Sequence, residues 1–283
     1  VTRPNDLLAG RYRVERRLGE GASGVVWLTR DTRERGLVWA LKELDFTTLP
    51  EAERDEMVGL FRREADILMR LSHPGLPAVA EHFHEGNSEF LVMERVEGPT
   101  LDQILKTRGA PLDEDEVIGW ALQVCSTLQY LHTLHPPIVY RDLKPSNLML
   151  TVSGQIKLID FGIARPMQPA RPGDTEAYGT PGYCPPEQYM GLATPRSDLY
   201  ALGATLYELL TRRDLTTTGF TFGSLRQYNA AISEELDLAV MRCLKLDPAE
   251  RPASASEVEA MLRHVAGRPR HWWSELKRRW TGL

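Results

Sequence analysis

Arg141, Asp142, Lys144 and Asn147 lie close together in the stretch IVYRDLKPSNLML, Ile138 to Leu150. Two apolar triplets, Ile138-Val139-Tyr140 and Leu148-Met149-Leu150, bracket them. Charged groups held between apolar anchors are costly to desolvate unless something pairs with them. One reading is a polar turn, with Asp142 capping and Pro145 bending the chain. The other is an active-site loop whose side chains aim at one charged ligand. The rest of the chain has to decide between them.

GEGASG, Gly19 to Gly24, has the spacing G-x-G-x-x-G. A dinucleotide-binding fold uses the same letters, but there the glycines open a helix. Here a strand-like run precedes them and VVWLT follows, which puts the glycines in the turn of a hairpin. Such a hairpin can lay backbone N–H groups over phosphates with no Cβ atoms in the way. A flexible hairpin without a ligand is the competing reading.

Lys42 follows VWAL on a strand whose neighbours point inward, and lysine is rarely buried without a partner. Glu64 falls on the apolar stripe of a helical pattern, midway between Leu60 and Leu68. A carboxylate on a core face is costly, and Lys42 is the obvious cation to meet it; a solvated edge position for Glu64 is the alternative. LIDFG ends an apolar strand with Asp160, next to Phe161 and Gly162. That acid suits either a strand-end turn or a Mg²⁺ ligand, since Mg²⁺ takes carboxylates together with phosphate oxygens. Asn147 and Asp160 become metal candidates if the fold makes them converge.

Taken in order, Gly19-x-Gly21-x-x-Gly24-x-Val26, Ala40-Leu41-Lys42, Glu64, Arg141-Asp142-Leu143-x-x-x-Asn147 and Asp160-Phe161-Gly162 resemble the eukaryotic-like (Hanks-type) protein kinase family, in its bacterial form. CPPE, with Glu187, resembles that family's A-P-E element. The resemblance runs from about residue 8 to 266 and answers the opening question in favour of the active-site loop. It implies an α+β, bilobal protein kinase fold, with a small β-rich N-lobe carrying one helix and a larger, mainly helical C-lobe.

By that resemblance Asp142 orients an acceptor hydroxyl and takes its proton, and Lys144 contacts the transferred phosphoryl. Asn147 and Asp160 hold Mg²⁺, while Lys42, fixed by Glu64, grips the α- and β-phosphates of ATP. Leu18, Gly19, Gly21 and Gly24 join the nucleotide-binding set. Val26, Ala40 and Met149 sandwich the adenine, Met93 guards the pocket, and Glu94 and Val96 offer hinge backbone groups. Arg251 is the implied partner of Glu187, Asp198 the implied brace of the catalytic loop, and Thr180 the implied support of Lys144 and Asp142.

DLKPSN and GTPGY resemble serine/threonine rather than tyrosine kinases. The implied acceptors are Ser or Thr hydroxyls of proteins, this chain included, with a homodimer as the route to autophosphorylation. Tyr140 departs from the pattern, which has His there. The family packs that position beneath Phe161, with Leu68 and Val79, and a tyrosine O–H so placed needs a partner. Arg141, joined by Arg165, implies control by an anion on the segment from Asp160 to Glu187. Thr175 is the phosphosite candidate, and Glu176 stands where relatives often carry the phosphorylated threonine. A nucleotide-binding scaffold would lack one of Lys42, Asp142, Asn147 or Asp160. A small-molecule kinase of related fold would lack GTPGYCPPE. All of these are present.

The elements that must position these residues are visible as periodicities. Tyr12 to Val14, Val25 to Leu28, Leu37 to Leu41 and Phe90 to Met93 are short and rich in β-branched or aromatic residues, as strands are. Met57, Leu60, Phe61, Ala65, Leu68 and Leu71 mark one long helix from about Glu51 to Leu71. After EGPT the pattern turns helical, with acids at 113–116 opening one helix and LYALGATLYELL, Leu199 to Leu210, apolar almost all round and so central and buried. Further helices are expected around Glu234 to Leu244 and Glu257 to Val265. The expected division is an N-lobe at 8–96, a hinge at 94–99, a C-lobe at 100–266 and a basic aromatic tail at 267–283.

Composition narrows the setting. The 283 residues are 42% hydrophobic and 26% charged, with a net charge of −5, which suits a globular chain and argues against general nucleic-acid affinity. Residues 268–283 hold five Arg or Lys against Glu275, a net of +4 that leaves −9 on the rest. Cys125, Cys184 and Cys243 are odd in number and far apart, which fits a reducing cytoplasm rather than a disulfide framework. No signal-peptide pattern or membrane-length apolar run is present. In the tail, Trp272, Leu276 and Trp280 share one face beside a basic one. Three readings stand for residues 268–280: a membrane-surface helix, the entry to a further membrane span or domain, and a terminal helix packed on the larger lobe. His82 and His84 alternate on a probable strand with no companion metal ligands evident in the sequence.

Overall fold

A computed structural model of the chain describes residues 2–21, 24–48, 51–160, 179–217 and 219–267. The N-terminal lobe holds β1 (Leu7–Leu8), β2 (Tyr12–Gly21), β3 (Gly24–Asp31), β4 (Val38–Asp45), helix α1 (Glu51–Leu68), β5 (Val79–Glu85) and β6 (Ser88–Glu94). The strands form one sheet in the order β1-β2-β3-β4-β6-β5, antiparallel at every pairing.

Side chains alternate across a strand, and β4 uses both faces. Leu41 is buried with Tyr12, Val14, Trp27, Phe90 and Val92 in a cluster on one side. Ala40 and Lys42 point to the other. Lys42 stands opposite Val26 on β3 and Leu91 on β6, and Ala40 opposite Met93. The strand that builds the lobe's core therefore also sets Lys42 over the cleft between the lobes.

The β2–β3 hairpin ends at the pair Gly21 and Gly24, so the glycine run does lie in a hairpin turn. Gly24 has φ +118°, and a Cβ there would stand 2.1 Å from the Glu43 carbonyl oxygen. Only glycine allows that approach.

The larger lobe holds α2 (Leu101–Arg108), α3 (Glu114–His132), the short pair β7 (Leu148–Leu150) and β8 (Ile156–Leu158), α4 (Pro186–Tyr189), α5 (Pro195–Thr211), α6 (Glu234–Cys243) and α7 (Ala255–Ala266). Thr100 and Gln103 close a capping box on α2, and Gly109 ends it in the left-handed conformation. Asp113 caps α3 from the Asp115 and Glu116 amides. Helix α5 is buried along nearly its whole length, and truncating one of its leucines to alanine would cost about 2–5 kcal/mol. One apolar cluster runs from Phe61 and Leu68 on α1, through Tyr140 and Leu143, to α5, α6 and α7. The loop that bears the charged residues is thus anchored at the middle of the core.

Candidate active site

The loop between α3 and β7 carries Asp142 half-buried, with three donor groups making four contacts to its carboxylate. Lys144 Nζ lies 3.1 and 2.9 Å from the two oxygens, the Thr180 hydroxyl donates to Oδ1 at 2.9 Å, and Asn147 Nδ2 donates to Oδ2 at 2.8 Å. Lys144 also donates to the Thr180 hydroxyl at 2.6 Å. Charge-assisted donors of this kind hold a carboxylate in one orientation. The Asn147 amide donates a second time to the Asp142 carbonyl at 2.9 Å, which turns its amide oxygen away from the loop.

The loop is held from below by Asp198 on α5, which is fully buried. Its carboxylate accepts from the Tyr140 and Arg141 amides at 2.8 Å each and meets His132 Nε2 at 2.8 Å. Gln188 Nε2 donates to the Arg141 carbonyl at 2.8 Å. Arg141 sits at φ +70°, a conformation that costs a non-glycine residue about 1–3 kcal/mol and persists only where the surroundings over-determine it. Here both sides of its peptide are fixed. Asp198 was legible in the sequence through the family resemblance. His132 and Gln188 were not, because nothing local distinguishes them from surface polar residues.

Above the loop is a cleft of about 590 Å³, within the range of small-ligand sites. Leu18, Gly19 and Gly24 line its roof with Val26, Ala40 and Lys42; Met93, Glu94 and Val96 line its back edge; Met149, Asn147 and Asp160 line its floor. Gly21 lies at the hairpin end, paired with Gly24. Lys42 Nζ bonds Asp160 Oδ1 at 2.7 Å, so the strand lysine and the strand-end acid meet at one end of the cleft. Asp160 also has positive φ, +60°. Glu64 lies on α1, but its side chain is outside the described residues.

The back edge is joined to the floor. Thr100 bridges Met149, and the Leu150 amide donates to the Pro99 carbonyl at 3.0 Å. Gly98, at φ +146°, passes so close that a Cβ would lie 1.9 Å from the Leu150 carbonyl oxygen.

Asn147 and Asp160 offer an amide oxygen and a carboxylate into the same cleft, hard oxygen donors of the kind Mg²⁺ takes when phosphate oxygens complete its shell. Among the described residues no cluster of three or more His, Cys, Asp or Glu could hold a metal alone. The residues fit that ion.

Tyr140 is wholly buried in the cluster that holds Leu68, with Val79 packed against it, and its hydroxyl donates to the Ile159 carbonyl. The partner its O–H required is therefore the residue before Asp160. Arg251, 1% exposed, meets Glu187 through two bonds of 2.6 and 3.0 Å. Arg141 Nε is buried with no partner among the described residues. Phe161, Arg165, Thr175, Glu176 and the tail at 268–283 all lie outside the described residues.

His82 and His84 are held by a charged partner that their sequence spacing does not show. Both meet the buried Glu89 carboxylate of β6, at 2.8 and 3.2 Å, and Arg62 of α1 joins them at 2.7 Å. The group is an ion-paired cluster that ties helix to sheet.

The family profile described as the protein kinase domain matches residues 12–265. Serine/threonine-protein kinase pkn3 of Myxococcus xanthus is 36% identical over 91% of this chain and 50% of its own length. Serine/threonine-protein kinase PrkC of Bacillus subtilis is 31% identical over 90% of this chain and 40% of its own. The chain spans half or less of the length of these two relatives. The crystal structure of the Mycobacterium tuberculosis PknI kinase domain superposes with a TM-score of 0.76 at 29% identity, covering 95% of this chain and all of that domain.

Proposed function

This chain belongs to the protein kinase family, and from that premise we propose that it is a bacterial-type serine/threonine protein kinase. It transfers the γ-phosphoryl group of ATP to Ser or Thr hydroxyls of proteins, itself included. The observation that carries the reading is the convergence of Lys144, Thr180 and Asn147 on the Asp142 carboxylate, beside a cleft lined by that same Asn147 together with Lys42 and Asp160.

Phosphoryl transfer requires positioning and charge neutralisation more than covalent chemistry from the protein. Asp142 orients the acceptor hydroxyl and takes its proton, with Thr180 and Lys144 holding the carboxylate. Lys144 lends positive charge to the oxygens of the transferred group. Lys42 holds the α- and β-phosphates at the end of the cleft where it meets Asp160. Asn147 and Asp160 are the residues that would hold Mg²⁺, which supplies neutralisation of the phosphate oxygens. The purine lies between Val26 and Ala40 above and Met149 below, read by backbone groups at Glu94 and Val96.

The test is phosphate incorporation from Mg-ATP into the chain and into a generic basic protein, mapped by mass spectrometry. Asp142→Asn lowers the rate by about 10²-fold or more. Nucleotide binding with no phosphate transferred to either acceptor would replace the enzyme with a scaffold.

Arg141 Nε, buried and without a partner among the described residues, supports control by an anion on the segment that follows Asp160. Thr175, once phosphorylated, is the proposed source, with Glu176 and Arg165 contributing and Glu176 sustaining basal activity. Loss of all activity in Thr175→Ala, with none lost in Glu176→Ala, would remove Glu176 from this scheme. Autophosphorylation between two copies gives rates that rise with chain concentration. Residues 268–280 are proposed to contact the cytoplasmic membrane surface. Anionic liposomes then retain the chain but not a version ending at Gly267; equal retention would end that proposal.

A further inference from the structure

Behind the back edge of the cleft, away from the purine, a buried lysine bridges the two lobes. Lys157 lies on β8 and its side chain is 10% exposed. Its ammonium donates to Glu94 Oε2 at 2.8 Å and to the Leu76 carbonyl at 3.2 Å. Glu94 is the last residue of β6, so the pair joins the final residue of the upper sheet to a strand of the lower lobe. The segment before β5 is stitched to both partners. The Ala78 amide donates to Glu94 Oε2 at 3.1 Å, the Glu94 amide donates to the Ala78 carbonyl at 2.7 Å, and the Leu158 amide donates to the Gly75 carbonyl at 2.8 Å.

We propose that the Lys157–Glu94 pair is an interlobe clamp that positions the nucleotide. Lys157 acts through Glu94, and neither side chain touches the reacting atoms. Lys157 pairs across the β7–β8 ladder with Met149, which forms the cleft floor, and β8 runs directly into Ile159 and Asp160. The clamp therefore ties the purine-reading edge to both the floor and the acid at the phosphate end. The Lys157 side chain is 10% exposed and that of Glu94 38%, and an ion pair so open to solvent on one side adds little to net stability. What it supplies is register. With the ammonium removed, the Glu94 carboxylate turns toward solvent, the 75–78 segment loses one of its stitches, and the edge shifts relative to Asp160.

This inference rests on the cleft being the ATP site, and the measurements keep the two separable. Affinity for a fluorescent adenine nucleotide with Mg²⁺ is measured for the wild-type chain, Lys157→Met, Glu94→Gln and the double variant, alongside thermal melting and the KM for ATP and for protein substrate. Each single variant weakens nucleotide binding about tenfold, and the double variant weakens it no further than either single, as for two residues acting as one unit. The KM for ATP rises in step while the KM for protein substrate holds. Glu94→Gln keeps the side-chain shape and the bond from Ala78, so it reports even if Lys157→Met fails to fold. Folded variants with lowered melting temperature and unchanged nucleotide affinity would make the pair merely structural and overturn the clamp. So would additive losses in the double variant, or tighter binding in the singles. A wild-type chain that binds no adenine nucleotide would overturn the ATP reading itself.

Discussion

The Tyr140 hydroxyl donates to the Ile159 carbonyl, joining the residue two before Asp142 to the residue one before Asp160. Ile159 is held on its other side as well, its amide donating to the Asn147 carbonyl at 2.9 Å. Burial pushes the Tyr140 phenol well above its ordinary pKa, with the carboxylates of Asp142, Asp160 and Asp198 adding to the effect, so it remains a donor. Two residues with positive φ, Arg141 and Asp160, each adjoin one end of this bond.

Tyr140→Phe removes the hydrogen bond and keeps the ring. We expect a stability loss of about 1–3 kcal/mol, the cost of a buried carbonyl left without its donor. We also expect kcat to fall severalfold while nucleotide affinity stays within error, because Lys42 and the hinge are untouched. Melting curves and steady-state kinetics check both. A Tyr140→Phe chain with wild-type kcat would show that Asp160 is placed by Lys42 and the sheet alone.

Asp198→Asn tests the brace beneath the catalytic loop. The carboxylate serves the Tyr140 and Arg141 amides on separate oxygens, and an amide has only one oxygen to offer. One buried N–H loses its acceptor and faces an NH₂ group instead. The expected cost is about 1–3 kcal/mol from the unsatisfied donor, and relaxation of the strained backbone at Arg141 offsets part of it. Activity falls even in the folded fraction, since the peptide that orients Asp142 is no longer fixed.

Much of this site was legible because its groups are charged, closely spaced and embedded in apolar runs where charge is costly. Asp142, Lys144, Asn147 and Asp160 announce themselves locally, whereas Asp198 was implied only by the family resemblance. Lys157 carries no such signal. In IKL it reads as the polar member of an alternating strand, and its partner Glu94 lies far away in sequence. The contacts of His82 and His84 with Glu89 were hidden for a related reason: the acid arrives from across a hairpin whose register periodicity alone does not set. The two-residue β1 is too short for any period. Helix α2 was not singled out in the sequence, because eight residues hold too few turns to show a period; its caps at Thr100, Gln103 and Gly109 emerge from the structure.

The pair of Glu187 and Arg251 makes stability pH-dependent in a definite direction. Burial alone would raise the Glu187 pKa, but bonds from Arg251 and Ser197 outweigh it and leave the value below the ordinary 4.5. A carboxylate depressed in the folded state contributes stability that is fully present above its unfolded pKa and is lost as pH falls through the lower folded value. The melting temperature of the wild-type chain should therefore drop faster than that of Glu187→Gln as pH is lowered below about 4.5. The gap between them at neutral pH should close in that window. Arg251→Ala strands the acid and costs about 3–5 kcal/mol at neutral pH.

Gly98 and Gly154 separate two reasons for a glycine. Both have positive φ, +146° and +80°, but a Cβ at Gly154 meets nothing within 4 Å, whereas at Gly98 it meets the Leu150 carbonyl at 1.9 Å. Gly154→Ala therefore carries conformational strain alone, about 1 kcal/mol. Gly98→Ala carries that strain and also pushes the hinge off β7, breaking the bond from the Leu150 amide to Pro99 and displacing Met149 from the floor of the cleft. Its stability loss should exceed that of Gly154→Ala severalfold. Only Gly98→Ala should weaken binding of a fluorescent adenine nucleotide. Equal losses in the two variants, with nucleotide affinity unchanged in both, would mean that the hinge tolerates a methyl group and that its seat on Leu150 does not position the nucleotide.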